Sequence, residues 1–465
     1  MLPAYSEYKP SISPFPRNVP AHWEEVRLSW VYQMKSDQNH VNEELLSVFL
    51  DKGVVSYSST SQKQVHKPSE DLSKYQLVEP NDFVLNNQQA WRGSVGISSN
   101  RGIISPAYYV LTPRRDFNSS YMNYLVRDKA VVDQFVLASK GVGSIQRQIF
   151  VPYLKRTVLA IPPREEQDRI ARFLNWKTSE MAHFIKEKKR EIRRLHELKR
   201  AIINKAVTRG LHENVPMRET GIEWLPQIPA HWEVCPLRRF LFSVSEKNHP
   251  DMPLLSVTRE QGVIQRDVND FDTNHNFIPD DLSGYKLVRK GQFVINKMKA
   301  WQGSYGVSDY DGIVSPAYFI FNLHFPNKKF FHFAMRSRVY VNFFAQFSDG
   351  IRVGQWDLSM QKMKHIPFFV PSEEEQEEIL RVVPVKIVEI DAMIAALNDE
   401  IALVHELRTK TIADVVTGKV DVSNVEIPQF EVETEELTDE EESNEESDEE
   451  DIEETDDTGD EEVDE

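Results

Sequence analysis

A single cysteine, Cys235, stands among 465 residues. That count excludes a disulfide framework and a thiolate metal site, and it fits a reducing cytosol. No run is apolar and uncharged for long enough to span a bilayer, and no basic-then-apolar leader opens the chain. Neither membrane insertion nor secretion is therefore expected, and a cytoplasmic location is. Phosphate-binding signatures are missing as well. Without a Gly-x-x-x-x-Gly-Lys-Ser/Thr loop there is no sign of a motor or NTPase. Gly141-Val142-Gly143 lacks the third glycine and the strand–helix frame of a nucleotide loop. Ile161-Pro162-Pro163-Arg164 shares two prolines with the amino-methyltransferase motif but has neither its amide or acid acceptor nor its stacking aromatic. It reads as a helix start. His22 and His231 each adjoin a tryptophan with no second ligand at metal spacing, so packing is expected there and no metal. Carboxylates such as Asp280-Asp281 form no catalytic constellation. The sequence reads as non-catalytic.

What is present begins with charge. The formal net charge is −18, but from Glu431 onward there are 23 acidic residues and no lysine or arginine. Without them, 50 acidic residues face 55 basic ones, a body at +5. A like-charged segment nearly free of aromatics cannot bury enough surface to fold, so a disordered acidic tail is expected.

The body is written twice. Pro20-Ala21-His22-Trp23-Glu24 returns as Pro229-Ala230-His231-Trp232-Glu233, 209 residues later. Phe83-Val84 and Phe293-Val294, the Asn-x-x-x-Ala-Trp-x-Gly-Ser segments at Asn86 and Asn296, and two Ser-Pro-Ala-Tyr blocks (Ser105 to Tyr108, Ser315 to Tyr318) follow in the same order. Glu166-Gln167 returns as Glu375-Gln376, and His196-Glu197-Leu198 as His405-Glu406-Leu407. Such a period is far beyond a solenoid repeat; it is domain duplication, and it lets one chain imitate a two-fold dimer.

Each copy has a mixed strand-and-loop part and a helical part. Strands are predicted at Phe83 to Asn86, Phe293 to Asn296, Ile103 to Ser105 and Ile313 to Ser315. Single helices are predicted at Met122 to Leu137 and Phe330 to Phe344. In the second copy's helical part Ile387, Ile390, Ile394, Leu397, Ile401 and Val404 alternate steps of three and four, the seam of a coiled coil. The first copy follows through Met181, Ile185, Ile192, Leu195 and Ile202. Ser372 with Glu375 forms a capping box, Pro162-Pro163 precedes the other helix, and Gly210 and Gly418 mark the ends. Pro384 should interrupt the second helix, leaving a short piece before a long one of about 50 Å. The fold class is thus α+β, with two duplicated mixed α/β domains separated by two long helices pairing as an antiparallel coiled coil. The boundaries are residues 1–163 and 213–371 for the domains, 164–212 and 372–422 for the helices, and 423–465 for the tail.

A mildly basic body carrying amide, basic and aromatic side chains suits DNA, because these side chains match base edges and phosphates. Residues common to the two copies, such as Asn86 and Asn296, are read as maintaining the fold, and Trp91 and Trp301 as core. Positions where the copies diverge are the candidate readers: Gln88, Gln89 and Arg92 against Lys297, Lys299 and Gln302. Lys63, Lys67, Arg147, Arg259, Arg266 and Arg352 lie in other divergent polar segments.

The ordered, twice-occurring blocks resemble the specificity subunit of a type I restriction–modification system, over nearly everything from Pro20 to Val422. The resemblance implies two target-recognition domains, each reading half of a bipartite double-stranded DNA site, and helical regions that space the half-sites. It also implies docking of two modification subunits, which carry S-adenosylmethionine and methylate adenine, and of two restriction subunits, which supply ATP- and Mg-dependent translocation and cleavage. The chain itself would hold no cofactor and serve host defence by specificity alone. The acidic tail is outside that pattern; the alternative it raises is an interaction protein whose tail mimics DNA and blocks DNA-binding partners.

Overall fold

The computed structural model describes residues 2–50, 52–59, 68–69, 71–142, 146–259, 261–266, 279, 281–349, 356–433 and 435. The chain divides into two compact units, Met1–Lys188 with Asp399–Glu436 and Lys189–Asn398 with Leu437–Glu465. Each unit holds one globular copy, the beginning of the long helix that follows it, and the end of the other long helix.

In the first unit an antiparallel sheet orders its strands Tyr32–Lys35, Tyr108–Pro113, Phe83–Asn86 and Val95–Ile97. Phe83, Val84 and Leu85 are all fully buried, because the sheet is covered on both faces. Strand alternation sends Phe83 and Leu85 into the main core with Trp23 and Phe135, and Val84 into a smaller cluster with Leu46, Val48 and Val54. The second unit repeats the plan with Leu241–Val244, Tyr318–Leu323, Gln292–Asn296 and Tyr305–Val307. There Phe293 and Ile295 face the main core and Val294 the smaller one.

Each of the two predicted shorter helices is in fact a pair. Ser119–Arg127 and Lys129–Leu137 meet at Asp128, whose carboxylate accepts from the Ala130 N–H at 2.9 Å and starts a new helix. Lys328–Met335 and Arg338–Gln346 meet at Ser337 in the same way along the chain.

The long helices run Arg164–Arg209 and Glu373–Val416. Pro384 lies inside the second without ending it, contrary to expectation. Losing one N–H costs a helix about 3 kcal/mol. Val383 beside the proline and Ile379 a turn before it are both buried in the core, and that anchoring offsets the loss. The seam forms as predicted: Ile185, Ile390, Ile394 and Leu397 are buried, and Met181, Ile192, Leu195, Ile202, Ile387, Ile401 and Val404 are half-buried. In the first unit Lys188 pairs with Glu400 at 2.9 Å, while Arg169 donates to Val422 O beyond the other helix's end. In the second, Lys199 pairs with Asp391 at 2.7 Å and His212 with Glu378 at 3.0 Å. Within each unit numbers rise on one helix as they fall on the other, so the pairing is antiparallel.

The repeated His-Trp pair explains how the helices are seated. Trp23 is fully buried; its indole N–H donates to Glu166 Oε1 at 3.1 Å, and His22 Nε2 lies 2.8 Å from Glu166 Oε2. Trp232 and His231 treat Glu375 identically, at 3.4 and 3.0 Å. The neighbouring glutamine reaches back over the helix start: Gln167 donates to Pro162 O at 3.0 Å and Gln376 to Pro371 O at 2.9 Å. The repeated Pro-x-x-x-Glu-Gln is therefore a helix-start device with both side chains used. The capping box is present too, with Glu375 N–H to Ser372 Oγ at 3.3 Å and Ser372 N–H to Glu375 Oε2 at 3.1 Å.

Burial alone would raise the Glu375 carboxyl, but the bonds from His231, the Ser372 N–H and Trp232 outweigh it and hold it below the ordinary carboxylate range. A depressed folded value contributes stability that is present above the unfolded value of about 4.3 and is lost as pH falls through the folded one. Glu375→Gln is expected to be less stable than the parent at pH 6, with the gap narrowing as pH falls below about 4. Urea unfolding across that range checks it; a pH-independent gap would contradict it.

Residues 423–433, expected to belong to a disordered tail, instead lie against the first unit. Val425 and Ile427 pack on its core, Arg169 donates to Val425 O at 2.5 Å, and the Glu433 N–H donates to Ser179 Oγ at 3.2 Å. Apolar anchors alternating with acids are what composition over the whole tail concealed. Residues 436–465, with most of the acidic run, lie outside the described residues.

Candidate nucleic-acid interface

The segment after each central strand is built by its shared residues. The Asn86 side-chain oxygen accepts from the Gln88 N–H at 2.9 Å, and that of Asn296 from the Met298 N–H at 3.2 Å, turning the chain sharply. One turn of 3-10 helix follows, Ala90–Arg92 or Ala300–Gln302, with the alanine fully buried. Gly93 (φ 104°) and Gly303 (φ 99°) then close the turn in the left-handed region.

The tryptophans in this turn are not core residues, as had been expected; both are half-buried. Each indole N–H is tied to the turn itself, Trp91 to Gln88 O at 2.8 Å and Trp301 to Met298 O at 3.1 Å. That leaves part of each ring outside the core, where a second hairpin meets it. The hairpin is pinned alike in both copies, Ile149 N–H to Asn87 O at 3.0 Å and Leu358 N–H to Lys297 O at 2.9 Å. Its side chains differ. In the first unit the guanidinium carbons of Arg92 and Arg147 stand 4.7 and 5.4 Å from the Trp91 centroid. In the second, Trp356 occupies the position equivalent to Arg147 and meets Trp301 at 5.1 Å. One scaffold thus presents a cationic fork in one copy and an aromatic pair in the other.

Gln88 and Arg92 are exposed and Gln89 half-buried, so these three and Arg147 come together around Trp91. In the second unit Lys299 is exposed and Gln302 half-buried on the same turn, while Lys297 is held in an ion pair with Asp357 at 2.8 Å. Arg259 is drawn to this turn by Arg336, which donates to Arg259 O, to Gly303 O at 2.7 Å and to Tyr305 O at 3.1 Å. Arg127, its repeat equivalent, holds Leu50 O at 3.1 Å. Arg266 sits apart from the turn, at the end of the Gly262–Gln265 strand, with its N–H on Leu254 O at 2.9 Å. Lys63, Lys67 and Arg352 lie outside the described residues.

Sequence reasoning missed a neighbouring cluster. Lys140 Nζ lies 3.8 Å from the Phe150 centroid and 5.0 Å from that of Tyr153, and Arg156 lies 6.0 Å from Tyr153. Phe150 and Tyr153 are about two-fifths exposed, at 37% and 42%. Aromatics left at the surface beside cations suit contact with bases and phosphates. The signal was present in Phe150-x-x-Tyr153-x-Lys155-Arg156, but only the Lys140 strand brings the fourth partner. Among the described residues no group of three or more His, Cys, Asp or Glu side chains could hold a metal ion. No helix among them is long and apolar enough to cross a membrane.

No protein-family profile matches the sequence, and no curated protein does. Solved structures do. One chain, from a study of complex assembly and conformational transition of the type I R-M system, aligns over all of its own length and 87% of this chain, with a TM-score of 0.59 at 13% identity. The fold is that of a type I restriction–modification subunit. Looser matches are the HsdS subunit from Thermoanaerobacter tengcongensis (TM-score 0.44, 14% identity, 87% of this chain and 99% of that one) and the type-I restriction-modification S subunit from M. genitalium (TM-score 0.32, 10% identity, 90% and 99%). At these identities the likeness is one of architecture, and the side chains that would read DNA are this chain's own.

Proposed function

We propose that this chain is the non-catalytic DNA-specificity subunit of a type I restriction–modification complex. The observation that carries the reading is the repeated turn: a shared Asn-Ala-Trp-Gly scaffold bearing Arg92 and Arg147 in one copy and Gln302 and Trp356 in the other. Two such faces on one chain read a bipartite duplex site, one half-site each. Arginine forks pair with guanine edges, and exposed aromatic surface contacts bases or thymine methyls. The paired helices set the spacer and dock two modification and two restriction subunits. S-adenosylmethionine, ATP and Mg belong to those partners, and the whole serves host defence in the cytoplasm.

Co-expression with the cognate methyltransferase subunit, followed by genome-wide adenine-methylation mapping, tests this. A bipartite motif that disappears when this chain is omitted is expected; methylation indifferent to this chain would refute the reading. Removing seven residues from the middle of each long helix shortens each by about 10 Å. The expected outcome is a spacer about three base pairs shorter between unchanged half-sites.

A further inference from the structure

The end of the chain treats two equivalent helix faces differently. On the first long helix, Trp176, Ser179 and His183 form a stripe at helical spacing, facing away from the Ile185 seam. In the first unit residues 422–435 lie along it as an extended strap. Arg169 grips Val422 O and Val425 O, Ser179 accepts from the Glu433 N–H, His183 Nδ1 lies 3.2 Å from Glu433 Oε2, and Arg408 pairs with Glu435. Shifted by the repeat of 209 residues, the same stripe on the second long helix is Val385, Val388 and Ala392. Val385 is 57% and Val388 67% exposed, large values for valines on a helix whose other face is buried.

The grip is also missing there. Glu378 replaces Arg169 and pairs with His212, and Lys199 replaces Arg408 and pairs with Asp391. The second stripe therefore suits an apolar segment, whereas the first holds an acidic one. The cause is topological: past Gly210 the chain must turn into the second globular copy, but past Gly418 it is free to run on along the helix.

We propose that the two stripes are equivalent docking faces for the methyltransferase subunit, and that the strap covers one of them. The open stripe of the second unit takes an apolar segment of the first methyltransferase copy. The second copy binds only when the strap leaves the first unit, so assembly is ordered. This inference rests on the specificity-subunit reading above.

Native mass spectrometry of the full chain titrated with methyltransferase tests it. Second-copy affinity at least tenfold weaker than the first is expected. A chain ending at Gln429, which keeps the Val425 and Ile427 anchors, should narrow that gap, as should Glu433→Lys with Glu435→Lys in the full chain. The charge-reversed chain still decides the matter should the shortened one misfold. Val388→Asp should remove the tight site first. Two equal sites in the full chain, or a gap unmoved by the strap variants, would overturn the proposal and leave the specificity reading standing. No methyltransferase binding to any of these chains would refute that reading, and the proposal with it.

Discussion

Arg147→Ala is expected to blur one half of the recognised sequence and leave the other intact. The Arg147 guanidinium is held by a ring and a hairpin: Trp91 stands 5.4 Å away, and the hairpin's own backbone is pinned to Asn87. An arginine ordered before DNA arrives loses less side-chain entropy on binding, and its planar fork matches the O6 and N7 acceptors of guanine. A good bidentate contact discriminates against the wrong base by about 1–3 kcal/mol, so a loss of about 5- to 150-fold at one base pair is expected. Trp356→Ala should act on the opposite half-site, because that side chain holds the same position in the second unit. Competition binding with duplexes substituted one base pair at a time reads both effects. A uniform loss across all sequences, with a salt slope smaller by about one, would show instead that Arg147 serves a phosphate.

The second large effect is expected at Gly418. Its φ is +74°, and a β-carbon there would stand 2.4 Å from Pro20 Cδ and 2.6 Å from Pro20 Cγ, with the Trp23 ring at 3.2 Å. Strain in the left-handed region and overpacking each cost about 1–3 kcal/mol, so Gly418→Ala should destabilise the first unit by roughly 2–6 kcal/mol. Two other glycines calibrate the terms. Gly221 has φ +76° with nothing within 4 Å of the added carbon, so its alanine variant reports backbone strain alone. Gly210, the repeat equivalent of Gly418, meets only Trp232 Cζ2, at 3.4 Å, and should fall between them. Thermal unfolding of the three variants gives the order; a Gly418 variant no worse than Gly221→Ala would show that the helix end is not seated on Pro20 and Trp23.

Much of this was legible in the residues because the chain repeats itself. Whatever both copies keep is scaffold: the Trp23 and Glu166 pair, the capping box at Ser372, the helix-ending glycines and the alternating Phe83-Val84-Leu85. Local chemistry fixes these elements, and local chemistry is what a sequence displays. The failures have tertiary causes. Pro384 was overruled by the buried Ile379 and Val383 around it. Asp128 ended one helix and began the next within a run whose apolar spacing looked continuous. Trp91 and Trp301 recur like core residues, yet their recurrence reflects an indole N–H tied to its own turn rather than burial. The strap escaped notice because Val425 and Ile427 find their partners on elements hundreds of residues earlier. The candidate readers were located by divergence between copies, and that signal placed Arg92 and Arg147 together while leaving Lys140, Phe150 and Tyr153 unseen.

The central claim is that each unit reads its own half-site. The most direct test replaces residues 8–162 with residues 217–371, so that both globular copies carry the second unit's face. Adenine-methylation mapping in a host supplying the methyltransferase then reads the outcome. The account predicts a motif built from the second half-site twice, with the spacer unchanged. Retention of the original bipartite motif would contradict it, because the sequence would then be read by something other than the exchanged face.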